Sequence, residues 1–320
     1  MLGEVAYATL LVRDTAACRA VYGGQLGLAE IESGRDGDDG EVCVFAIGPS
    51  ALVLRANPAA PMAPSPPAGS GDLAPPPAVV DHFALHTTSA DDAHAALKER
   101  GIAFLGEPST TPVGHRNMQR TLLAFEDPNG LHVQISETVD PRPHLEGRRA
   151  AKCRMAALEN TRERMPPGML DSGAGNTDGV RPTDNRPSLF GGFDHISTYC
   201  ADFDRTRAFY KEQLGLEEFF HSTTREAGLE LEPGFAQSAF AIGGTDLELA
   251  THAGGTAGPT TVRELGFWTD DVDCAYAMLK DSGVAIDGPP SEGVAPPHIR
   301  SRAIAVQGPD GLAMAIAQRL

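Results

Sequence analysis

The chain has 320 residues, of which 41% are hydrophobic and 22% charged, a composition typical of a soluble protein with about two domains. Its net charge of −17 argues against nucleic acid or an anionic membrane as a partner, because both are bound mainly through basic patches. No apolar run reaches the length of about 18 residues that a membrane-spanning helix needs.

The first predicted element is a strand over residues 5–14, and no basic signal-peptide region precedes it. Asp14 is placed to cap a helix that ends near "LGL", where glycine favours a left-handed C-cap. Alternating apolar residues in "EVCVFAI" and "SALVL" then predict strands. A Pro-rich insert at 57–78 is predicted to be a disordered connector.

A second unit of the same plan follows the insert. Ser89 is placed to cap a helix that ends at "RGI", and "TLLAF" and "LHVQI" alternate like strands. Residues 141–188 then combine a predicted helix with a Gly-, Asn-, Asp- and Pro-rich flexible linker.

The second half of the chain repeats the first. "AVYGGQLGLAE" at 20–30 matches "AFYKEQLGLEE" at 208–218, and "DPNGLHVQI" at 127–135 matches "GPDGLAMAI" at 308–316. The repeat predicts four βαβββ units in two domains, over residues 1–140 and 189–320. Five scattered cysteines without a CxxC pair fit reduced thiols in a cytoplasmic protein.

Four βαβββ units, with "FY…QLGL" helices and "DPNG" or "GPDG" turns before the last strand, resemble the vicinal oxygen chelate superfamily. The group includes glyoxalase I, extradiol dioxygenases and bleomycin-resistance proteins. The resemblance implies an α+β fold in which the four units pair into two tandem domains with cupped mixed sheets. It is specific for the fold and weak for the reaction, since one scaffold supports many chemistries.

The resemblance also implies where metal ligands stand, on the first and last strands of the units. In the second half these positions hold His195, Glu248, Glu264 and Ala315. In the first half they hold Tyr7, Val53, His82 and Gln134, which is a degenerate metal site. We therefore predict one divalent metal (Fe, Mn, Ni, Zn or Mg) on His195, Glu248 and Glu264 in the C-terminal domain.

The strand period of two places further side chains beside these positions. Tyr199 shares a face with His195, Trp268 with Glu264, and His252 with Glu248, so these side chains are predicted to contact a substrate. Three first-half residues are predicted to line a second polar cup: Tyr7, His82 and Gln134.

Three functions remain open from the sequence. The first is a metal-dependent enzyme for a small oxygenated or aromatic metabolite, such as a lyase, isomerase or dioxygenase, with His195 and Glu264 in catalysis. The second is a metal-free protein of bleomycin-resistance type, which binds a small molecule and pairs its acids with Arg263, Arg300 or Arg302. The third is a metal-free acid–base enzyme. A monomer or a homodimer fits each.

Overall fold

The computed structural model describes most of the repeated units. The described residues are 2–35, 40–61, 80–112, 119–139, 189–223, 236–251, 261–296 and 298–320. Most of the Pro-rich insert at 57–78, and the helix and linker predicted over 141–188, lie outside the described residues. No described helix is long and apolar enough to cross a membrane.

The first half of the chain forms two units. Unit 1 comprises β1 (Leu2–Val12), α1 (Thr15–Arg19) with a π-helical extension (Ala20–Gln25), β2 (Ala29–Arg35), β3 (Glu41–Ile47) and β4 (Ser50–Ala56). Unit 2 comprises β5 (Val80–His86), α2 (Ala90–Glu99), β6 (Ser109–Pro112), β7 (Gln119–Glu126) and β8 (His132–Val139).

The second half forms two more units of the same plan. Unit 3 comprises β9 (Phe193–Tyr199), α3 (Phe203–Ala208) with a π-helical extension (Phe209–Gln213), β10 (Glu217–Thr223), β11 (Ala236–Ile242) and β12 (Thr245–Thr251). Unit 4 comprises β13 (Val262–Thr269), α4 (Val272–Asp281), β14 (Ser291–Ala295), β15 (Ile299–Gln307) and β16 (Ala313–Arg319). A 3-10 turn (Pro309–Gly311) precedes β16.

The helix caps predicted at Asp14 and Ser89 are confirmed. Their side chains, and that of Asp202, each accept a hydrogen bond from a backbone N–H in the first turn of the helix that follows. Each cap satisfies a donor that the helix itself leaves without a partner. Asp271 caps α4 in the same way.

The sixteen described strands form two eight-stranded mixed sheets, but the sheets do not follow the two halves of the chain. The central sheet joins units 2 and 3, in the order β10-β11-β12-β9-β5-β8-β7-β6. The terminal sheet joins units 1 and 4, in the order β14-β15-β16-β13-β1-β4-β3-β2. Each sheet therefore combines one unit from residues 1–140 with one unit from residues 189–320.

Contacts between helices and turns run within a half instead. Asn129 of unit 2 accepts a hydrogen bond from the N–H of Arg13 in unit 1. Asp310 of unit 4 accepts one from the N–H of Ala201 in unit 3, the matching position of the repeat. Every unit is thus fixed to one neighbour through its sheet and to another through its helical layer.

Two glycine turns hold the sheets against each other. Gly48, between β3 and β4, has φ 54°, and a Cβ built there would lie 2.4 Å from the carbonyl oxygen of Gly191. Gly243, between β11 and β12, has φ 60°, and its Cβ would lie 2.4 Å from the carbonyl oxygen of Gly3. Glycine is therefore required twice over, for the left-handed backbone and for the close approach. The two contacts are reciprocal, as expected for a duplicated chain.

Each sheet has one face toward the helices and one inner face. In β12, Leu247 and Leu249 belong to the main apolar core, whereas Asp246 and Glu248 lie on the inner face. The alternation follows from the strand period of two. It explains why an acid stands between two leucines.

Candidate metal centre

Strand pairing brings four residues together on the inner face of the central sheet. In the ladders, His195 lies across from Ala84, and Ala84 across from Gln134. His82 and Glu248 both lie across from Ser197, one on each side of β9. The four residues thus come from β5, β8, β9 and β12, two strands from each half of the chain.

The two imidazoles meet through their Nε2 atoms. The Nε2 of His82 lies 3.2 Å from the Nε2 of His195, and the Oε1 of Gln134 lies 3.2 Å from the same His195 atom. One ligand atom each from His82, His195 and Glu248 lie within 4.8 Å of one another. The spacing is small enough for three ligands of a single ion.

Each imidazole is oriented by the aspartate that precedes it in the chain. The Nδ1 of His82 lies 2.7 Å from Oδ2 of Asp81, and the Nδ1 of His195 lies 3.0 Å from Oδ2 of Asp194. A carboxylate can only accept, so Nδ1 of each neutral ring is the protonated nitrogen and Nε2 presents a lone pair. Burial, and then the charge of Arg120, lowers the pKa of His195, which favours the neutral ring.

Asp194 is fixed by other donors as well. Its Oδ2 accepts hydrogen bonds from the hydroxyls of Ser136 and Thr138, both at 2.9 Å. These hydroxyls come from β8 of unit 2, whereas Asp194 belongs to β9 of unit 3. The orientation of His195 therefore depends on both halves of the chain.

Glu248 is held by a buried arginine. Arg120, which is 2% exposed, donates a hydrogen bond from Nη1 to Glu248 Oε1 and one from Nη2 to Asp246 Oδ2 at 3.1 Å. Burial by itself raises the pKa of Glu248, but the charge of Arg120 outweighs burial and lowers this pKa to about 2. Glu248 is therefore a carboxylate at neutral pH.

The contact between Arg120 and Glu248 also shows that the sheet is strongly curled. β7 and β12 are four strand positions apart in the sheet order, which is about 19 Å in a flat sheet. The two side chains nevertheless touch, so the inner face is concave and its opposite walls meet at Arg120.

Tyr199, at the end of β9, stands across from Ala250. Burial, followed by the charges of Asp81 and Glu248, raises the pKa of its hydroxyl to about 12, so it stays protonated at neutral pH. Asp81 and His82 retain side-chain exposures of 31% and 14%, whereas Arg120 and Asp194 are closed to solvent. The site is therefore open on the side of Asp81 and closed on the side of Arg120.

The terminal sheet carries a different set at the matching positions. Tyr7, Val53, Glu264 and Ala315 occupy the places of His195, Glu248, His82 and Gln134. The Tyr7 hydroxyl donates a hydrogen bond to Oε1 of Glu264 at 2.5 Å. Most of the remaining inner face is a small apolar cluster: Ala6, Val44, Ala51, Trp268, Ala295 and Ala317.

The structure brings together some of the residues predicted from the sequence and separates others. His195, Glu248, His82, Gln134 and Tyr199 lie on the central sheet. Glu264, Trp268 and Tyr7 lie on the terminal sheet, away from that cluster, because unit 4 pairs with unit 1 and not with unit 3. The third candidate ligand beside His195 and Glu248 is therefore His82. Glu264, which was predicted for this place, lies on the other sheet. His252 lies outside the described residues.

Two of the three arginines expected to balance the inner acids, Arg300 and Arg302, pair elsewhere. Arg300 lies 3.7 Å from Glu292, and Arg302 binds Asp273 on the outside of the molecule. Arg120 contacts Glu248 instead. The sequence around Arg120, "QRTLLAF", predicts a strand but does not indicate that this arginine contacts Glu248.

One overlooked sequence signal does identify the centre. "VDHFAL" at 80–85 and "FDHIST" at 193–198 share the dipeptide Asp-His at the start of units 2 and 3. Units 1 and 4 read "VAYATL" and "VRELGF" at the matching places. The shared dipeptide groups the two central units and supplies both the ligand and its orienting carboxylate.

Comparisons with known proteins agree with this architecture. The family model described as the glyoxalase/bleomycin resistance protein/dioxygenase superfamily matches residues 4–135 and 192–316. The chain belongs to this superfamily.

Solved structures share the fold at low sequence identity. The chain is similar to glyoxalase I from Zea mays, with a TM-score of 0.61 and 15% identity over 98% of this chain and 92% of that one. It is also similar to a candidate dioxygenase from Bacillus subtilis, with a TM-score of 0.60 and 14% identity over 99% of this chain and 86% of that one. A search of curated protein sequences found no match.

Proposed function

We propose that the protein is a divalent-metal-dependent enzyme that acts on a small oxygenated or aromatic metabolite at the inner face of the central sheet. One observation carries the proposal. The Nε2 atoms of His82 and His195 face each other at 3.2 Å, while the Nδ1 of each ring lies against its own aspartate.

The positions of the protons on the two imidazoles explain why a cation would stabilise this arrangement. With both Nδ1 atoms protonated, both Nε2 atoms present lone pairs, and neither can donate to the other. Gln134 adds a carbonyl oxygen 3.2 Å from His195 Nε2, and Glu248 adds a carboxylate. Converging lone pairs repel unless a proton or a metal ion lies between them. Two ligands with bonds of about 2.1 Å to one metal stand about 3.0–3.4 Å apart, which matches the observed spacing.

The donor set narrows the choice of metal. Two imidazoles and one carboxylate are the ligands of non-haem iron oxygenases, and imidazole also suits Ni and Zn. Mg prefers oxygen ligands, which makes it the poorest match among the ions considered. When bound, the metal would polarise a carbonyl or enolate oxygen of the substrate.

The protein groups around the cluster have separate tasks in this proposal. Asp81 and Asp194 orient the imidazoles, and Arg120 holds Glu248 as a carboxylate. Tyr199, which keeps its proton, donates a hydrogen bond to a substrate oxygen that enters from the open side.

Metal analysis tests the proposal. Purified protein should contain about one Fe, Mn, Ni or Zn ion per chain, and His195→Ala should lose it. Oxygen consumption that depends on iron would assign ring oxidation, whereas turnover without oxygen would assign an isomerase or lyase. Wild-type protein that stays metal-free after incubation with each of these ions would refute the proposal.

The contact between Arg120 and Glu248 favours a second candidate, a metal-free cup that binds a small molecule or performs acid–base chemistry. A guanidinium already balances the Glu248 charge in that case. The same metal titration separates the two candidates, because a metal-free cup would bind its ligand equally well in the presence of a chelator.

Two further features support a cytoplasmic enzyme that is active as a monomer. The four cysteines among the described residues are free thiols. One chain supplies all four residues of the centre, so a homodimer is not needed to complete it.

A further inference from the structure

Arg120 is the one charged side chain of β7 that reaches across the concave face. Its three nitrogens contact four partners: Nη1 donates to Glu248, Nη2 donates to Asp246, and Nε donates to the Thr138 hydroxyl at 3.1 Å and lies 3.4 Å from Asp194 Oδ2. The planar fork of a guanidinium makes this possible, since a lysine ammonium is a single point. Arg120 thus links the wall formed by unit 2 to the wall formed by unit 3.

The two oxygens of Glu248 have different surroundings. Oε1 accepts the hydrogen bond from Arg120. Oε2 has no hydrogen bond to any residue in the part of the chain that the structure describes. Its lone pairs can therefore coordinate a metal ion. A carboxylate held in this way binds an ion through one oxygen and not through two.

The terminal sheet supplies a natural comparison. Ser301 occupies the position of Arg120, and Ala51 and Val53 those of Asp246 and Glu248, as the strand registers show. The arginine and the acids are therefore absent together from the sheet that lacks the histidine pair. This co-occurrence favours a role at the metal centre over a general role in building the fold.

We propose that Arg120 is a positioning residue for the metal centre. It holds Glu248 by Oε1, which leaves Oε2 as the oxygen that binds the metal, and it closes the inner end of the concave face. The inference rests on the proposed function, because it assigns a role at the same metal centre. It adds a residue that itself binds neither the metal nor the substrate.

Metal titration of matched variants tests this role. Removing Arg120 alone would leave Asp194, Asp246 and Glu248 without their shared arginine. The main variant therefore combines Arg120→Met with Asp246→Asn, which removes one charge of each sign and leaves the Glu248 and Asp194 carboxylates in place. Arg120→Lys keeps the charge and loses the fork. Arg207→Met is the control, because Arg207 pairs with Glu218 through two hydrogen bonds (2.5 and 2.7 Å) outside the metal cluster.

Affinity for Co(II), and the visible absorption of the bound Co(II), are the measurements. The double variant should bind Co(II) about 10–100-fold more weakly, in the range found when second-layer partners of metal ligands are removed. Its absorption should shift as Glu248 changes from one ligating oxygen to two. Arg120→Lys should show the same shift with a smaller loss of affinity, and Arg207→Met should match the wild type.

The outcomes separate this inference from the proposed function. Wild-type protein that binds no metal would overturn both. If the wild type binds Co(II) and a folded double variant binds it with the same affinity and spectrum, only the role of Arg120 is overturned. If the double variant does not fold, Arg120→Lys decides, and an unchanged spectrum there overturns the inference.

Discussion

The two sheets share one architecture and differ in the chemistry of their inner faces. The central sheet holds His82, His195, Gln134 and Glu248, with Arg120, Asp194 and Asp246 behind them. At the matching places the terminal sheet holds Glu264, Tyr7, Ala315, Val53, Ser301, Ala6 and Ala51. After a duplication, one sheet thus carries a set of candidate metal ligands with charged neighbours, and the other carries a packed apolar cluster.

The difference shows that ligands and their supporting residues form a group. At the places of Asp246 and Glu248 the terminal sheet has Ala51 and Val53, so no carboxylate there needs an arginine, and Ser301 supplies none. Burying Arg120 among apolar side chains would cost several kcal/mol without its acidic partners. Arg120 and its acidic partners are thus present together on the central sheet, and their counterparts are absent together from the terminal sheet.

The largest expected effect is on metal affinity, and it distinguishes His82→Ala from Glu264→Ala, which change matching positions on different sheets. His82→Ala should weaken metal binding by at least about 100-fold, since losing a ligand costs more than losing a supporting residue. Glu264→Ala should leave metal affinity unchanged, because Glu264 binds Tyr7 on the terminal sheet. Isothermal titration with Ni(II) or Zn(II) measures both. Loss of metal from Glu264→Ala would contradict the assignment of the centre to the central sheet.

The contact between the sheets is tested by Gly243→Ala. The new Cβ would meet the carbonyl oxygen of Gly3, and we expect the free energy of unfolding to fall by roughly 2–3 kcal/mol. Gly48→Ala should cost a similar amount, since its contact with Gly191 is reciprocal.

Gly215→Ala is the matched control for these glycine variants. Gly215 has φ 65° but no atom within 4 Å of a built Cβ, so only the backbone strain of about 1 kcal/mol remains. Urea unfolding gives the three values. Equal losses in Gly215→Ala and Gly243→Ala would show that the approach of the two sheets is not tight.

A smaller effect is expected from Tyr7→Phe on the terminal sheet. The variant leaves Glu264 without its donor, and we expect a loss of about 1–2 kcal/mol in unfolding free energy. Glu264→Gln, which keeps an acceptor for Tyr7, should cost less. Neither variant should alter metal content. A Tyr7→Phe protein as stable as the wild type would indicate that water replaces the hydroxyl.

The smallest expected effect is the contribution of Glu218 to stability, which depends on pH. Burial alone would raise the pKa of Glu218, but hydrogen bonds from Arg207, Lys211 and Ser238 lower it to about 2, below its usual value of about 4.5. The resulting stabilisation is present above about pH 4.5 and is lost as the pH falls toward 2.

Comparing the wild type with Glu218→Gln isolates this contribution. After allowance for solvent screening, the difference in unfolding free energy should be about 1 kcal/mol at pH 7 and should vanish near pH 2. A difference that stays constant from pH 7 to pH 2 would contradict the lowered pKa.

Much of the fold could be predicted from local patterns in the sequence. The repeat is visible in the 188-residue offset between Tyr22 and Tyr210. The caps at Asp14 and Ser89 and the alternation around Glu248 depend only on neighbouring residues. The strand period gives the residues that share a face with His195, Glu248, His82 and Gln134, and the family resemblance implies that this face is the inner one.

The grouping of the ligands could not be read from these patterns. Placing Glu264 with His195 assumed that neighbouring units share a sheet, whereas β9 pairs with β5 and β13 pairs with β1. Arg120 was not predicted either, because its contact with Glu248 spans four strand positions and depends on the curl of the sheet.

By itself, the sequence determined four repeated units, the face on which each side chain lies, and the family to which the chain belongs. Periodicity and capping are local, so they are fixed wherever the residues stand. Only the tertiary structure decided which units share a sheet. Pairing between strands far apart in the chain depends on how whole units pack, and that choice set His82 beside His195 and left Glu264 with Tyr7.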